Sequence, residues 1–97
     1  MNDIREVLNE RGVNYGSFAG QSELSQLLKK TIDIEIAKRG KSLNSYQKEA
    51  LEMILHKIAR IINGNPDYAD SWLDISGYAS LVVAQLDRKS TICHKHV

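Results

Sequence analysis

Two amphipathic segments joined by one sharp turn fill the second half of the chain, and they constrain the fold more than any other feature. The first segment carries branched apolar residues at the three- and four-residue spacing of one helix face: Leu51, Ile54, Leu55, Ile58, Ile61 and Ile62. The second repeats this spacing with Trp72, Ile75, Ala79, Val82, Val83 and Leu86. Between them, Asn63 and Gly64 tolerate the left-handed backbone that ends a helix, and Pro66 prevents an immediate restart. The sequence therefore predicts an antiparallel helical hairpin, about 44–63 and 70–87.

Capping residues mark the ends of this hairpin. Asn44 precedes the first helix, and Gln47 stands three residues later, which is the spacing of a capping box. The second helix has two candidate N-caps, Asp70 and Asp67, whose carboxylates can accept the unpaired N–H groups of a first turn.

The first half of the chain predicts two more helices. Residues 2–11 form a short helix, residues 12–20 a loop with three glycines and two aromatic residues, and residues 21–38 a second helix. We therefore predict an all-α fold with a short N-terminal helix and three longer helices, in a single domain over residues 1–88. Residues 89–97 are polar and aperiodic, and we interpret them as a flexible tail.

Composition limits which kinds of molecule the protein is expected to bind and in which compartment it is expected to act. The 97 residues carry a formal net charge of +1, which does not favour general affinity for nucleic acid polymers. The single cysteine, Cys93, excludes an intrachain disulfide and favours a reducing, intracellular setting. No apolar run predicts a signal peptide or a membrane span. A small helical unit often covers its apolar surface with another copy, so we expect a homo-oligomer without membrane association.

Cations and one loop tyrosine form the most interesting candidate binding set. Lys29 and Lys30 are adjacent on the second predicted helix, Lys57 and Arg60 are three residues apart on the third, and Tyr15 lies in the glycine-flanked loop. Phosphodiesters bind point charges or a guanidinium fork, and nucleobases stack on aromatic rings. The simpler interpretation is that the lysines keep a helix face hydrated and the tyrosine fills a core edge.

Carboxylates offer an alternative chemistry. Glu49 and Glu52 share one helix face, and Asp70 and Asp74 share another. In an antiparallel hairpin the two pairs meet only if the helices pack out of register or across a dimer, and four converging carboxylates would then hold Mg²⁺. Caps and ion pairs with neighbouring cations are the simpler interpretation.

The remaining metal-ligand and nucleophile types give weaker signals. Cys93, His94 and His96 fall short of the four ligands of a structural zinc site, and a solvated tail is the favoured interpretation. His56 is interpreted as a surface histidine. No arrangement typical of nucleophilic catalysis is visible, so we predict no catalytic residue, no metal site and no cofactor.

Two longer stretches carry a family resemblance. RGVNYGSF near the start and QKEALEMILHKIARIINGNPDYADSWLDISGYASLV further on resemble the anti-CBASS cyclic-nucleotide sponges, a family of small phage proteins. The likeness covers about residues 4–86, and KIARIINGNP with DSWLDISGYA is its most specific part.

This resemblance implies a compact helical protomer that assembles into a hexamer and captures cyclic oligonucleotide messengers of bacterial immunity without cleaving them. The ligands implied are cyclic dinucleotides, with cyclic trinucleotides and cyclic ADP-ribose isomers as further candidates, in the cytoplasm of the host bacterium. The family's dinucleotide contacts correspond to Tyr15 and Lys30, with Lys29 as the alternative, and Gly16 lies in the same loop. The trinucleotide site is not placed by the resemblance.

Residue-level reasoning supplies candidates for that second site, and two other functions stay open. The candidates are Lys57, Arg60 and the turn from Asn63 to Asn65. One alternative function is a Mg²⁺-dependent, all-α nucleotide pyrophosphohydrolase, although the spacing of Asp70 and Asp74 departs from the ExxD pattern of such enzymes. The other is a helical adaptor that binds another protein.

Overall fold

Four α-helices make up the fold. The structure, a computed structural model, describes residues 3–90, with side chains as far as Arg88. The helices are α1 (Ile4–Tyr15), α2 (Phe18–Lys38), α3 (Ser45–Asn63) and α4 (Ala69–Ser90). The described residues contain no strand. The prediction of an all-α fold with one short helix followed by three longer ones is confirmed.

The α3–α4 hairpin forms where local sequence signals predicted it. Asn44 caps α3, because its Oδ1 accepts the Gln47 N–H at 3.0 Å while Gln47 Oε1 accepts the Asn44 N–H at 3.1 Å. At the other end of α3, the Gly64 N–H donates to the Arg60 carbonyl at 3.0 Å and closes the last turn. The capping box and the position of the helix end match the sequence prediction. The left-handed backbone predicted there is wrong, because Gly64 has φ −125°, and glycine is needed instead where the backbone of α1 passes close to it.

The start of α4 differs from the prediction. The helix begins at Ala69, so Asp70 lies inside the first turn and neither it nor Asp67 is the N-cap. The Asp70 carboxylate accepts a hydrogen bond from the Tyr68 hydroxyl at 3.0 Å. Its negative charge still favours the helix, since it stands at the positive end of the helix dipole.

The break between α1 and α2 is much shorter than the predicted loop over residues 12–20. Gly12 stays helical, and α1 continues to Tyr15. The helix ends at Gly16, whose φ of 78° needs the conformational freedom of glycine and whose N–H donates to the Gly12 carbonyl at 2.9 Å. Ser17 then caps α2, with its Oγ accepting the Gly20 N–H at 3.0 Å. The predicted loop was wrong because two well-formed caps fit within two residues.

The centre of the fold is α3, which packs antiparallel against α2 on one side and α4 on the other. The contact of Asp33 with Lys48 places the end of α2 beside the start of α3. The contact of Gln21 with His56 places the start of α2 beside the second half of α3. The buried apolar residues of the described chain are Ala50, Ala59 and Ile61, all on α3. Small alanines let both neighbouring helices approach α3 closely.

The protomer has a thin core for its length. Its dimensions of 52 × 34 × 22 Å and radius of gyration of 16.7 Å describe a flat, elongated body, whereas a compact domain of this size has a radius of about 12–13 Å. Many large apolar side chains are exposed in the protomer, among them Ile4, Val13, Phe18, Ile62, Trp72, Leu73 and Leu81. No helix within residues 3–90 is long and apolar enough to cross a membrane.

Candidate functional site

The end of α1 is fastened to the end of α3 by one asparagine side chain. Asn63 Nδ2 donates hydrogen bonds of 2.9 Å to the Tyr15 carbonyl and of 2.9 Å to the Ser17 carbonyl. Just beyond, the Asn65 N–H donates to the Asn14 carbonyl at 2.8 Å. The Asn14 and Tyr15 carbonyls lie in the last turn of α1, where carbonyl groups lack intrahelical partners, whereas the Ser17 carbonyl also accepts the Gln21 N–H of α2 at 3.0 Å. We call this contact, made by Asn63, Gly64 and Asn65 with the end of α1, the junction clamp.

Glycines allow the two backbones of the junction clamp to meet. A Cβ atom at Gly64 would overlap the backbone of Asn14 and Tyr15, and one at Gly16 would overlap the Asn63 carbonyl. At Gly20 a Cβ would lie 2.7 Å from Asn63 Oδ1, which is closer than side chains approach in proteins. Close approach at this point therefore requires residues without side chains.

Tyr15 is held against two guanidinium groups and a second tyrosine. The Arg60 Cζ lies 4.1 Å from the Tyr15 ring centroid, and the Arg11 Cζ lies 5.1 Å from it. The Tyr68 ring meets Tyr15 edge to face, with centroids 5.8 Å apart and an interplanar angle of 74°. Cation–π and edge-to-face contacts of this kind are favourable. We call Arg11, Tyr15, Arg60 and Tyr68 the Tyr15 cluster.

The arginines of the Tyr15 cluster have no carboxylate partner among the described residues. Neither Arg11 nor Arg60 forms an ion pair within residues 3–90. In that same range the Arg60 Nε is buried and has no hydrogen-bond acceptor. A buried guanidinium N–H without an acceptor is unfavourable, so this site is chemically suited to an oxyanion.

His56 extends the positive region and corrects the sequence interpretation. It is half-buried rather than a surface residue, and its Nε2 lies 3.2 Å from Nε2 of the buried Gln21 side chain. Burial lowers the pKa of His56, and the neighbouring charges of Arg60, Lys29, Lys57 and Arg11 lower it further. Burial is the larger cause, and the smaller contribution from these cations reflects the positive charge gathered around His56.

An open groove runs beside the Tyr15 cluster between α1 and the start of α2. Its lining residues include Leu8, Arg11, Tyr15, Phe18 and Gln21. The Phe18 side chain is 75% exposed, so its ring is available to a molecule in the groove. The groove thus combines an aromatic surface with the guanidinium of Arg11.

Sequence comparison places the chain in a family. Residues 1–85 match the family described as Domain of unknown function (DUF6378). The chain belongs to the DUF6378 family. No curated protein and no solved structure matches it.

Five of the predicted site residues come together in this DUF6378 protein. Tyr15 and Arg60 are in the Tyr15 cluster, and Gly16, Asn63 and Asn65 form or adjoin the junction clamp. Arg60 and the turn after α3 therefore lie next to Tyr15, and their role in binding stays a prediction.

The predicted lysines lie elsewhere. Lys57 is 8% exposed, and its Nζ forms an ion pair with Asp74 at 3.1 Å. Its ammonium group is therefore already paired with a carboxylate of α4. Lys29 and Lys30 line a separate groove with Asp33 and other residues of α2 and α3. Lys30 is twelve residues after the start of α2, or about 18 Å along the helix axis. Within one protomer it does not adjoin the Tyr15 cluster.

Two of the four carboxylates proposed for Mg²⁺ binding are held in separate ion pairs, and a third, Asp70, accepts the Tyr68 hydroxyl. Glu52 pairs with Lys48 at 3.2 Å, and Asp74 pairs with Lys57 at 3.1 Å. Asp33 also pairs with Lys48, at 2.9 Å, and both carboxylates raise the pKa of that lysine. No three His, Cys, Asp or Glu side chains within the described range are grouped as metal ligands. This arrangement favours the interpretation of these residues as structural ion pairs.

Arg11 and Tyr68 are site residues that sequence reasoning missed, and one group of predictions falls outside the structure. Arg11 precedes Tyr15 by four residues, which is the spacing of side chains that meet on a helix. That signal was hidden because α1 was expected to end at Gly12. Cys93, His94 and His96 lie outside the described residues.

Proposed function

We propose that this DUF6378 protein binds cyclic oligonucleotide messengers and sequesters them without cleavage, as a phage sponge that blocks CBASS-type immunity. In this proposal it acts as a homo-oligomer, of which the implied form is a hexamer, in the cytoplasm of the host bacterium. The resemblance of RGVNYGSF and KIARIINGNP to the sponge family supports the class of ligand. The observation that carries the proposal is the pair of guanidinium groups against Tyr15, neither of which forms an ion pair with a carboxylate within residues 3–90.

Charge supports a phosphodiester as the bound group. Arg11 and Arg60 approach one ring from two different helices, so an anion beside Tyr15 can contact both guanidinium groups. Arginine forms paired, directional hydrogen bonds with phosphate oxygens. The Arg60 Nε has no hydrogen-bond acceptor within residues 3–90, so the hydrogen-bonding capacity of this guanidinium is not fully used by the described residues. A cyclic dinucleotide, with two phosphodiesters in one ring, supplies this group.

Aromatic surface supports the presence of bases in the ligand. Phe18 exposes its ring to the groove, and Arg11 lies over Tyr15 at the longer of the two cation–π distances. In the proposed complex one base stacks on Phe18, while Arg11 turns from Tyr15 towards a phosphate and leaves ring surface for a second base. Stacking on an aromatic side chain contributes about 1–3 kcal/mol per base.

The positions of the acidic side chains support binding of the nucleotide without hydrolysis. The hydrolase alternative needs an ExxE pair and a second carboxylate pair converging on Mg²⁺. Here Glu52 and Asp74 are bound to different lysines, Lys48 and Lys57. A role in capture requires affinity and abundance, and neither depends on such a metal site.

In the proposed oligomer, Lys29 or Lys30 contacts a ligand that is bound beside Tyr15 of a neighbouring copy. The groove that contains them lies along α2 from the Tyr15 cluster. A ligand that contacts both Tyr15 and Lys30 therefore needs Lys30 from a neighbouring copy, with Lys29 as the alternative contact. Sites at subunit interfaces enclose a ligand without a deep pocket in one protomer.

The decisive experiment identifies the molecule that the protein retains. The full chain is incubated with a panel of cyclic di- and trinucleotides and cyclic ADP-ribose isomers, with and without Mg²⁺, then washed and denatured by heat, and the released compounds are analysed by chromatography. Release of an intact cyclic nucleotide supports the sponge. Cleaved product that depends on Mg²⁺ would support the hydrolase, and retention of nothing would favour the adaptor.

Matched arginine variants then test the site. Arg60→Gln should raise the Kd of the retained nucleotide at least tenfold, because charge-assisted hydrogen bonds contribute about 1.5–3 kcal/mol and each 1.4 kcal/mol is about tenfold in Kd. Arg39→Gln removes the same charge from an exposed arginine that pairs with Glu35, and should leave the Kd unchanged. Calorimetry in which both variants match the wild type would remove the Tyr15 cluster from the binding site. Tyr15→Ala and Lys30→Ala test the two contacts implied by the family resemblance.

A further inference from the structure

The outer face of α4 has an apolar stripe without a partner in the protomer. On the inner side of this helix, Ala79 and Val82 line a groove with residues of α3. On the other side Leu73, Gly77, Leu81 and Ala84 follow one another at intervals of four, four and three residues, which places them on one line along the helix. Leu73 is 68% exposed and Leu81 is 64% exposed. We call these four residues the α4 stripe.

Gly77 lies at the middle of this stripe without a structural requirement inside the protomer. A Cβ atom built there meets no atom within 4 Å, and the backbone is ordinary helix. Glycine in the interior of an exposed helix lowers helix stability relative to alanine. The absence of a side chain leaves space for a neighbouring molecule, whose side chains can approach the backbone of the helix closely at this point.

The charges at the two ends of the stripe indicate which neighbour fits. Asp70 stands near the first turn of α4 and Arg88 near its end. Residue 79 is midway between Asp70 and Arg88, and it is also midway between Gly77 and Leu81. A second α4 lying antiparallel across this midpoint puts each Leu81 against the opposite Gly77. The same arrangement places each Asp70 opposite an Arg88, so apolar shape and charge are complementary in one register.

The thin core of the protomer gives such a contact a stabilising role. The buried apolar residues of the described chain are only two alanines and an isoleucine, while leucines on α4 remain largely in solvent. Burial of exposed leucines against a second copy removes apolar surface from water. Self-complementary patches of this kind are typical of two-fold dimers.

We infer that the α4 stripe is a homodimer interface, in which two copies of α4 pack antiparallel about residue 79 with Leu81 of each copy seated on Gly77 of the other. The partner is a second copy of this chain. The inference stands apart from the proposed nucleotide site, because it rests on α4 alone and needs no ligand.

Sedimentation of the full chain over a range of concentrations tests the packing. Gly77→Leu fills the space for the opposing Leu81, and should raise the self-association Kd at least tenfold. Leucine is a better helix former than glycine and has open space here in the protomer, so loss of folding would not account for the result. Gly12→Leu is the matched control, because Gly12 is another exposed helical glycine with open space around its Cβ position, on α1 rather than α4, and it should leave this association unchanged.

Charge reversal tests the register. Asp70→Arg alone and Arg88→Asp alone each place like charges together twice in a homodimer, so each variant should associate at least tenfold more weakly. An equimolar mixture of these two variants restores opposite charges at both ends, and it should form a heterodimer with affinity near that of the wild type. Circular dichroism melts of each variant verify that α4 is still folded.

Three outcomes would overturn the inference. The first is a wild-type chain that is monomeric at every concentration, and the second is unchanged association in Gly77→Leu. The third is unchanged association in the single charge variants, since a parallel pair already brings Asp70 against Asp70 and would be no weaker after one reversal. The second and third results would leave the proposed function standing, because nucleotide binding is measured separately. A chain that is monomeric at every concentration would also remove the homo-oligomer that the proposed function requires, and loss of nucleotide binding alone would leave the dimer standing.

Discussion

Asn63→Ala tests the contact on which the candidate site depends. The Asn63 amide donates to the carbonyls of Tyr15 and Ser17, each at 2.9 Å, across 48 and 46 residues of sequence. Alanine removes both donors and retains the helical backbone of α3. The end of α1 then loses its side-chain tether to α3, and the Tyr15 cluster loses the support that positions its ring.

The expected magnitude follows from two hydrogen bonds and one propensity change. A typical intramolecular hydrogen bond contributes about 0.5–1.5 kcal/mol net, so losing two lowers the free energy of unfolding by about 1–3 kcal/mol. Alanine is a better helix former than asparagine by about 0.5 kcal/mol, which offsets part of that loss. The expected net destabilisation is about 0.5–2.5 kcal/mol. Asn63→Asp should destabilise more than Asn63→Ala, because a carboxylate would face two carbonyl oxygens at the negative end of α3.

Urea unfolding followed by circular dichroism measures these differences. All variants are compared at one protein concentration, since self-association would contribute to the apparent stability. Asn9→Ala is the matched control, because Asn9 is exposed on α1 and the same atoms are removed. An Asn63→Ala protein as stable as this control would refute the role of the junction clamp. So would an Asn63→Asp protein that is more stable than Asn63→Ala.

Two further predictions concern the same region. Gly64→Ala should destabilise the fold more than Gly20→Ala, because the new Cβ at Gly64 overlaps the backbone of Tyr15 whereas the one at Gly20 meets side-chain atoms; thermal melts that show the reverse order would contradict this. NMR titration should give a pKa for His56 below its ordinary value of about 6.5, and Arg60→Gln should raise it. Since the folded-state pKa is lowered, the unfolded chain binds more protons below about pH 6.5, so the His56 contribution makes the protein less stable as the pH falls through that range. A pH-independent difference in stability between wild type and His56→Gln would contradict it.

The hairpin could be predicted from sequence because its signals are local. The capping box of Asn44 and Gln47 and the helix end at Asn63 and Gly64 each involve residues close together in the chain. The apolar spacing between these ends fixes which face of α3 packs. Residues within a few positions of each other therefore determine this part of the fold.

The α1–α2 junction could not be predicted in the same way. Three glycines with two aromatic residues over residues 12–20 are typical of a loop, yet the structure has helix on both sides of Gly16. What makes the tight turn favourable is Asn63, which is remote in sequence and supplies donors for two carbonyl groups. Arg11 was missed for the same reason. It lies against Tyr15 because α1 extends to Tyr15, and that extension depends on the remote contact with Asn63.

The candidate site and the attachment of α1 depend on the same contacts. No residue of α1 is buried, so hydrophobic burial contributes little to holding this helix on the protein. Its connections are instead the junction clamp and the contact of Tyr15 with Arg60. An anion bound by Arg11 of α1 and Arg60 of α3 would add a third connection between these helices. By linkage, a ligand that binds only the docked arrangement stabilises the docking of α1 as it binds.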